Sequence, residues 1–285
     1  MNNRYGVDPA TPMSRRDLAD LVRLFDPAEG RFIIGFPDEW VSRLRKHVEG
    51  WSDLDRKSAE EALRILRRML MPSGLRYDDR KKWAENASLL KSRESIRGLI
   101  GPSGSPATVD ALPDLMERIP PLPSDREALI ERSVESYLAA IDPILRTSPK
   151  VLMIDRYFGL HDHRGGIGLR YKVLDSFLSA ADRCNVRAFH LVVEPAKAYA
   201  AWDPSGEDYC AVLDALRSNF RRVEIVFSPR SDCGHARYFL GNYSGLQFDY
   251  GFDVDRSRRS SVKQDKNHVH WLTDGVLRQL HDEYG

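Results

Sequence analysis

The chain contains no stretch approaching the ~18–20 consecutive apolar residues that a bilayer-spanning helix needs. No membrane association is expected from it. The N-terminal run MNNRYGVDPATPMSRRD lacks the apolar core of a secretory leader, so a cytoplasmic location is expected. Cysteine is scarce and odd in number. Cys184, Cys210 and Cys233 are widely spaced and none belongs to a C-x-x-C pair. This excludes a disulfide framework and a structural zinc site of the usual spacing, and leaves free thiols in a reducing compartment. An excess of charge of either sign is missing too: 43 basic side chains face 42 acidic ones, for a net charge of +1. There is thus no global attraction to nucleic acid or to anionic lipid.

What is present is the composition of a folded, water-exposed protein. Of 285 residues, 42% are hydrophobic and 30% charged, enough for one large domain or two ordinary ones. Charge is locally uneven. Between Arg56 and Arg97, twelve basic residues stand against six acidic ones. Such a run reads first as a solvated helical face and second as a polyanion-binding surface.

Periodicity divides the chain in two. Ser58 to Met71 carries Ala62, Ile65, Leu66, Met69 and Leu70 at helical spacing, with Ser58 and Glu61 as a capping box. A second helix is predicted from Lys81 to Ile100 and a third from Ser124 towards Leu145, with a proline-rich connector between Leu112 and Pro123. The pattern then changes. Val151–Ile154, Val186–Val193 and Val223–Phe227 are short apolar runs suited to buried strands, alternating with helical segments around Tyr171–Cys184 and Glu207–Phe220. Tyr238–Leu240 and Gly245–Tyr250, joined by Gly241-Asn-Tyr-Ser, read as a hairpin. The predicted class is α/β. A mainly helical domain is expected over 1–147, and a mixed sheet flanked by helices over 148–285.

The densest chemistry lies at this hairpin. His235 and Arg237 enter a strand two residues apart, so their side chains share a face. An imidazole beside a guanidinium suits a phosphate group: the cation grips the oxygens while the imidazole attacks or moves a proton. GHARYFLGNYSGLQFDYGFD resembles a diverged form of the phospholipase D superfamily signature, H-x-K-x-x-x-x-D followed by a glycine-containing turn. The resemblance covers about half the chain, with a diagnostic core of about twenty residues. It implies that His235 is the nucleophile, that Arg237 takes the place of the phosphate-gripping lysine, and that Asn242 stands where the family has an aspartate supporting the fold and charge balance. Active members bring two signatures together and this chain has one, so activity implies a homodimer with two His235 side chains face to face. Neither metal nor cofactor is implied. Modules of this fold that serve protein interaction also exist. Two readings therefore stand: a metal-independent phosphodiesterase acting on nucleic acid, and an interaction module recruiting a protein partner through its first half. Single-signature modules of this kind are associated with bacterial defence.

Asp155 follows the first strand of the α/β half, where open sheets place ligands; two roles are open to it, pairing with Arg237 in the His235 cleft and capping a helix or ordering the loop. Asp253 closes the hairpin's far end. Arg256, Arg258, Arg259 and Lys263 form a basic loop suited to a phosphodiester backbone or to solvent. His161 to Gly168 is a glycine-rich loop without nucleotide-binding spacing, and its two histidines lack a clear third metal ligand. His268-Val-His270-Trp271 reads as an edge strand with surface histidines on one face.

Overall fold

A computed structural model describes residues 3–118, 126–160, 168–199, 205–252, 254 and 266–285. The class is mixed α/β, and the chain divides into two compact units, Met1–Arg126 and Glu127–Gly285. Among the described residues, no helix is long and apolar enough to cross a membrane.

The first unit combines its helices with a sheet. Its order is β1 (Asn3–Val7), α1 (Arg15–Leu24), β2 (Arg31–Gly35), α2 (Trp40–Val48), α3 (Asp53–Leu66), β3 (Leu70–Pro72), α4 (Trp83–Arg93), β4 (Gly98–Gly101), β5 (Asp110–Ala111) and α5 (Leu112–Met116). Among the described residues these strands form a parallel sheet in the order β3-β2-β1-β4-β5. The predicted helix over Lys81–Ile100 stops at Arg93, and its tail becomes β4. The reason is length. Strands of two to five residues are too short to show alternation, so periodicity cannot tell them from a helix segment. Gly6 marks the close packing: a Cβ there would meet Leu90 and Leu99 side chains at 2.7 Å. The capping box moves as well. Ser52, not Ser58, caps α3 through the Asp55 N–H, while Ser58 lies inside the helix and Glu61 pairs with Arg64. Arg56 and Arg80 of the basic run likewise pair with nearby Asp53 and Asp78. The neutralisation favours a solvated surface.

The second unit begins 21 residues earlier than the predicted boundary, because Glu127 opens a strand and not a helix. Its order is β6 (Glu127–Glu131), α6 (Val134–Thr147), β7 (Lys150–Ile154), α7 (Leu169–Arg183), β8 (Ala188–Val193), α8 (Pro195–Ala198), α9 (Glu207–Asn219), β9 (Glu224–Pro229), β10 (Arg237–Leu240), β11 (Gly245–Phe248), β12 (Lys266–Trp271) and α10 (Asp274–Tyr284). Ser133 caps α6 by accepting the Ser136 N–H. The described strands form one sheet, β6-β12-β11-β10-β7-β8-β9, parallel from β7 to β9 and antiparallel from β6 to β7. The strand β12 is therefore internal, not an edge. Two cores flank the sheet. Tyr137, Phe177, Phe239, Phe248 and Phe252 cluster on one face. Leu152, Ile154, Val192 and Leu240 pack on the other with Leu277 and Leu280 of α10.

Candidate anion-binding site

Antiparallel pairing of β10 with β7 brings Arg237 to the end of the sheet where Asp155 emerges. Tyr238 pairs with Ile154, so Arg237 lies beside Asp155, one residue past β7. The Asp155 carboxylate is 1% exposed. Its Oδ1 accepts the Tyr157 N–H at 3.0 Å and its Oδ2 the Phe252 N–H at 3.4 Å. Arg237 Nε lies 3.9 Å from Asp155 Oδ1, an ion-pair distance and not a hydrogen bond. Burial pushes the Asp155 carboxyl above its ordinary range, opposed by the charges of Arg170 and Arg237 and by the two backbone donors. Desolvation wins because the nearly complete loss of water outweighs what the neighbouring charges and backbone donors return.

Arg237 is held from three sides. Its Nη1 donates to the Asp249 carbonyl at 2.9 Å, Asp155 lies behind it, and the guanidinium carbon sits 5.3 Å from the centre of the Tyr157 ring. That geometry fixes a cation by hydrogen bond, charge and ring face. Tyr157 also reaches His235: its hydroxyl is 3.4 Å from Nδ1. With Nδ1 protonated, the imidazole donates to the phenol oxygen and Nε2 keeps a free lone pair. His235 itself is exposed. Arg170, in the first turn of α7, donates to the Tyr157 carbonyl and holds the loop that presents the ring.

Gly251 closes the site. Its φ is +75°, and a Cβ there would stand 2.8 Å from Asp155 Oδ2 and 3.4 Å from Arg237 Nε. Asn267, fully buried in β12, secures this turn by accepting the Tyr250 N–H at 3.1 Å and donating to the Gly251 carbonyl at 2.7 Å. Substituting Gly251→Ala is expected to destabilise the unit by about 1–2 kcal/mol from the left-handed backbone alone. Denaturant unfolding checks this, and a midpoint equal to wild type would mean that the turn relaxes freely.

The structure thus gathers Asp155, His235 and Arg237 but not Asn242. That residue lies in the β10–β11 turn, where its N–H donates to Ser148 Oγ at 3.0 Å and its Oδ1 accepts the Lys150 N–H at 3.4 Å. At about 3.3 Å per strand residue, it sits roughly 15 Å from Arg237. Asn242 anchors the hairpin to the start of β7. Asp253, Arg256, Arg258, Arg259 and Lys263 lie outside the described residues, as does the loop from His161 to Ile167. Sequence reading gave Tyr157, Arg170 and Asn267 no role. Only Asn267 left a signal, as an amide inside a strand, where asparagine is depleted.

The chain matches no protein-family model and no curated protein.

Proposed function

We propose that the Glu127–Gly285 unit is a phospholipase D-like module that binds a phosphodiester, nucleic acid foremost, and hydrolyses it through His235 in a homodimeric, metal-independent site. One observation carries this reading: Tyr157 contacts both the exposed His235 imidazole and the Arg237 cation, and a buried carboxylate backs Arg237. Support also comes from the element order. Three parallel strands with intervening helices precede a hairpin that begins at the signature, as the resemblance implies. The exposed position of His235 leaves room for a second copy to bring its own His235 to the same phosphorus.

The chemistry follows from those groups. Arg237 binds the non-bridging oxygens. Nε2 of one His235 attacks phosphorus, and the P–O bond to the leaving alcohol breaks as the second copy's His235, protonated, supplies a proton to that oxygen. Water, deprotonated by the second imidazole, then cleaves the phosphohistidine and restores the first. Unpaired Cys184, Cys210 and Cys233 favour a cytoplasmic setting for this activity.

The test is cleavage of labelled DNA and RNA in EDTA by wild type and His235→Ala. Wild type should cut at least one substrate, and the variant should lose about a thousand-fold or more of the rate while still binding it. Wild type inert on every substrate, or a variant as active as wild type, would sink the catalytic reading. Loss of binding in Arg237→Ala is the companion result. Binding that survives this change intact would remove the phosphate-gripping role.

A further inference from the structure

A second cluster occupies the opposite face of the same sheet. In the row formed by Tyr238, Gln247, His270 and Glu127, each residue is the direct cross-strand partner of the next. His268 projects to the same side two residues from His270. The two imidazoles meet edge to face with centroids 4.2 Å apart, which brings four ring nitrogens into a small volume. Each ring bridges two carboxylates. His268 Nε2 and His270 Nδ1 lie 3.3 and 3.5 Å from the same oxygen, Glu127 Oε2. The opposite nitrogens, His268 Nδ1 and His270 Nε2, lie 3.7 and 3.8 Å from the two oxygens of Asp249.

We propose that Glu127, His268 and His270 form a binding site for a divalent transition metal, Zn²⁺ foremost, with Asp249 orienting both histidines from behind. One donor atom from each of the three ligands lies within 4.8 Å of the other two. Four ligands at tetrahedral zinc, with bonds of 2.0–2.1 Å, stand about 3.3 Å apart. The two histidine–glutamate separations already match that edge. The donor set is chemically apt, since imidazole nitrogen and carboxylate oxygen suit zinc, and a three-residue set leaves one position for water or an external ligand. Metal-bound imidazoles usually donate their other N–H to a carboxylate, which fixes the tautomer and raises ligand basicity. Asp249 stands where both rings need that partner. Its backbone carbonyl meanwhile accepts from Arg237, so one residue links the metal cluster to the anion-binding site on the other face.

The position explains why sequence reading missed it. Glu127 lies about 140 residues from the H-x-H pair and joins it only through the pairing of β6 with β12. A metal here would tie the first strand of the unit to its internal strands. The alternative occupant is a proton: ion pairs between a charged histidine and the flanking carboxylates, with no metal.

Titration of the chelator-treated full chain with Zn²⁺, and separately with Co²⁺, decides between them. The expected result is one equivalent bound, a tetrahedral Co²⁺ visible spectrum without a thiolate charge-transfer band, and a higher Tm with Zn²⁺. Glu127→Gln should weaken Zn²⁺ binding at least ten-fold, and His268→Ala with His270→Ala should abolish it. Because both rings are about one-third exposed, the double variant should keep the far-UV circular dichroism of the metal-free wild type. Substoichiometric binding, a thiolate band, or unchanged affinity in the folded double variant would each overturn the site. None of these readouts depends on phosphodiester cleavage, so this proposal and the His235 proposal fail separately.

Discussion

Replacing Phe252 with alanine is expected to lower the unfolding free energy of the Glu127–Gly285 unit by about 3–5 kcal/mol, the cost of emptying a closed aromatic site. Phe252 is fully buried, and its ring lies 4.6 Å from Phe248, 5.7 Å from Phe177, 6.0 Å from Tyr137 and 6.4 Å from Phe239. These rings come from α6, α7, β10, β11 and the segment after β11, so no single element can move to fill the void. The loss should reach the Asp155–Arg237 pair as well. The Phe252 N–H holds Asp155 Oδ2, and Gly251 packs against both Asp155 and Arg237. Phe252→Leu is the control, keeping most of the volume and costing under about 1.5 kcal/mol. Denaturant unfolding followed by far-UV circular dichroism measures both. A Phe252→Ala loss below about 1 kcal/mol would show that the cluster collapses around the vacancy.

The second large effect belongs to Asp155. Removing its side chain in Asp155→Ala leaves the Tyr157 and Phe252 N–H groups without their acceptor and Arg237 without its buried counter-charge. Each orphaned buried donor costs about 1–3 kcal/mol, and a total of about 2–4 kcal/mol is expected because Arg237 is partly exposed and screened. Asp155→Asn should behave differently. Burial raises the folded carboxyl above the ordinary 3.8. The folded chain therefore holds this proton more tightly than the unfolded chain does. The group's contribution is fully present below about pH 3.9 and is lost as pH rises through the folded value. Asparagine keeps an acceptor for the Tyr157 N–H and removes the desolvated charge. Asp155→Asn is thus expected to match or exceed wild-type stability at neutral pH and to abolish the decline that begins above the ordinary carboxylate value. A variant profile with the wild-type slope would mean that another group carries the pH dependence. Under the proposed function, phosphodiester binding should fall in both variants, since neither backs the Arg237 cation with a negative charge.

Parts of this molecule were legible beforehand, for identifiable reasons. The strands β7, β8 and β9 and the helices between them were visible because each apolar run is bounded by polar or turn-forming residues and alternates with a helical period. The hairpin was visible through Gly241 and Gly245 at its turn. Asp155 was placed near Arg237 because strand C-termini in open sheets converge on one edge. The strands of the first unit were missed. Tyr5-Gly-Val and Phe32-Ile-Ile-Gly are too short to show a period, and β4 was absorbed into the helical run before it. The strand β6 was missed because Ser124 and Glu127 imitate a capping box and Ala-Leu-Ile is an unbroken apolar run, so the alternation in exposure appears only once the strand is paired.

By itself, the sequence determined the local choices: apolar runs that become buried strands, turn glycines, and His235 held within two residues of Arg237, where β10 begins. These are settled by contacts within a few residues. Only the tertiary structure decided which distant groups meet. It set Tyr157 between imidazole and guanidinium, sent Asn242 to the far end of the hairpin, and joined Glu127 to His268 and His270. Strand order does this, because pairing partners are chosen by which faces can be buried together, and no short-range pattern encodes that choice.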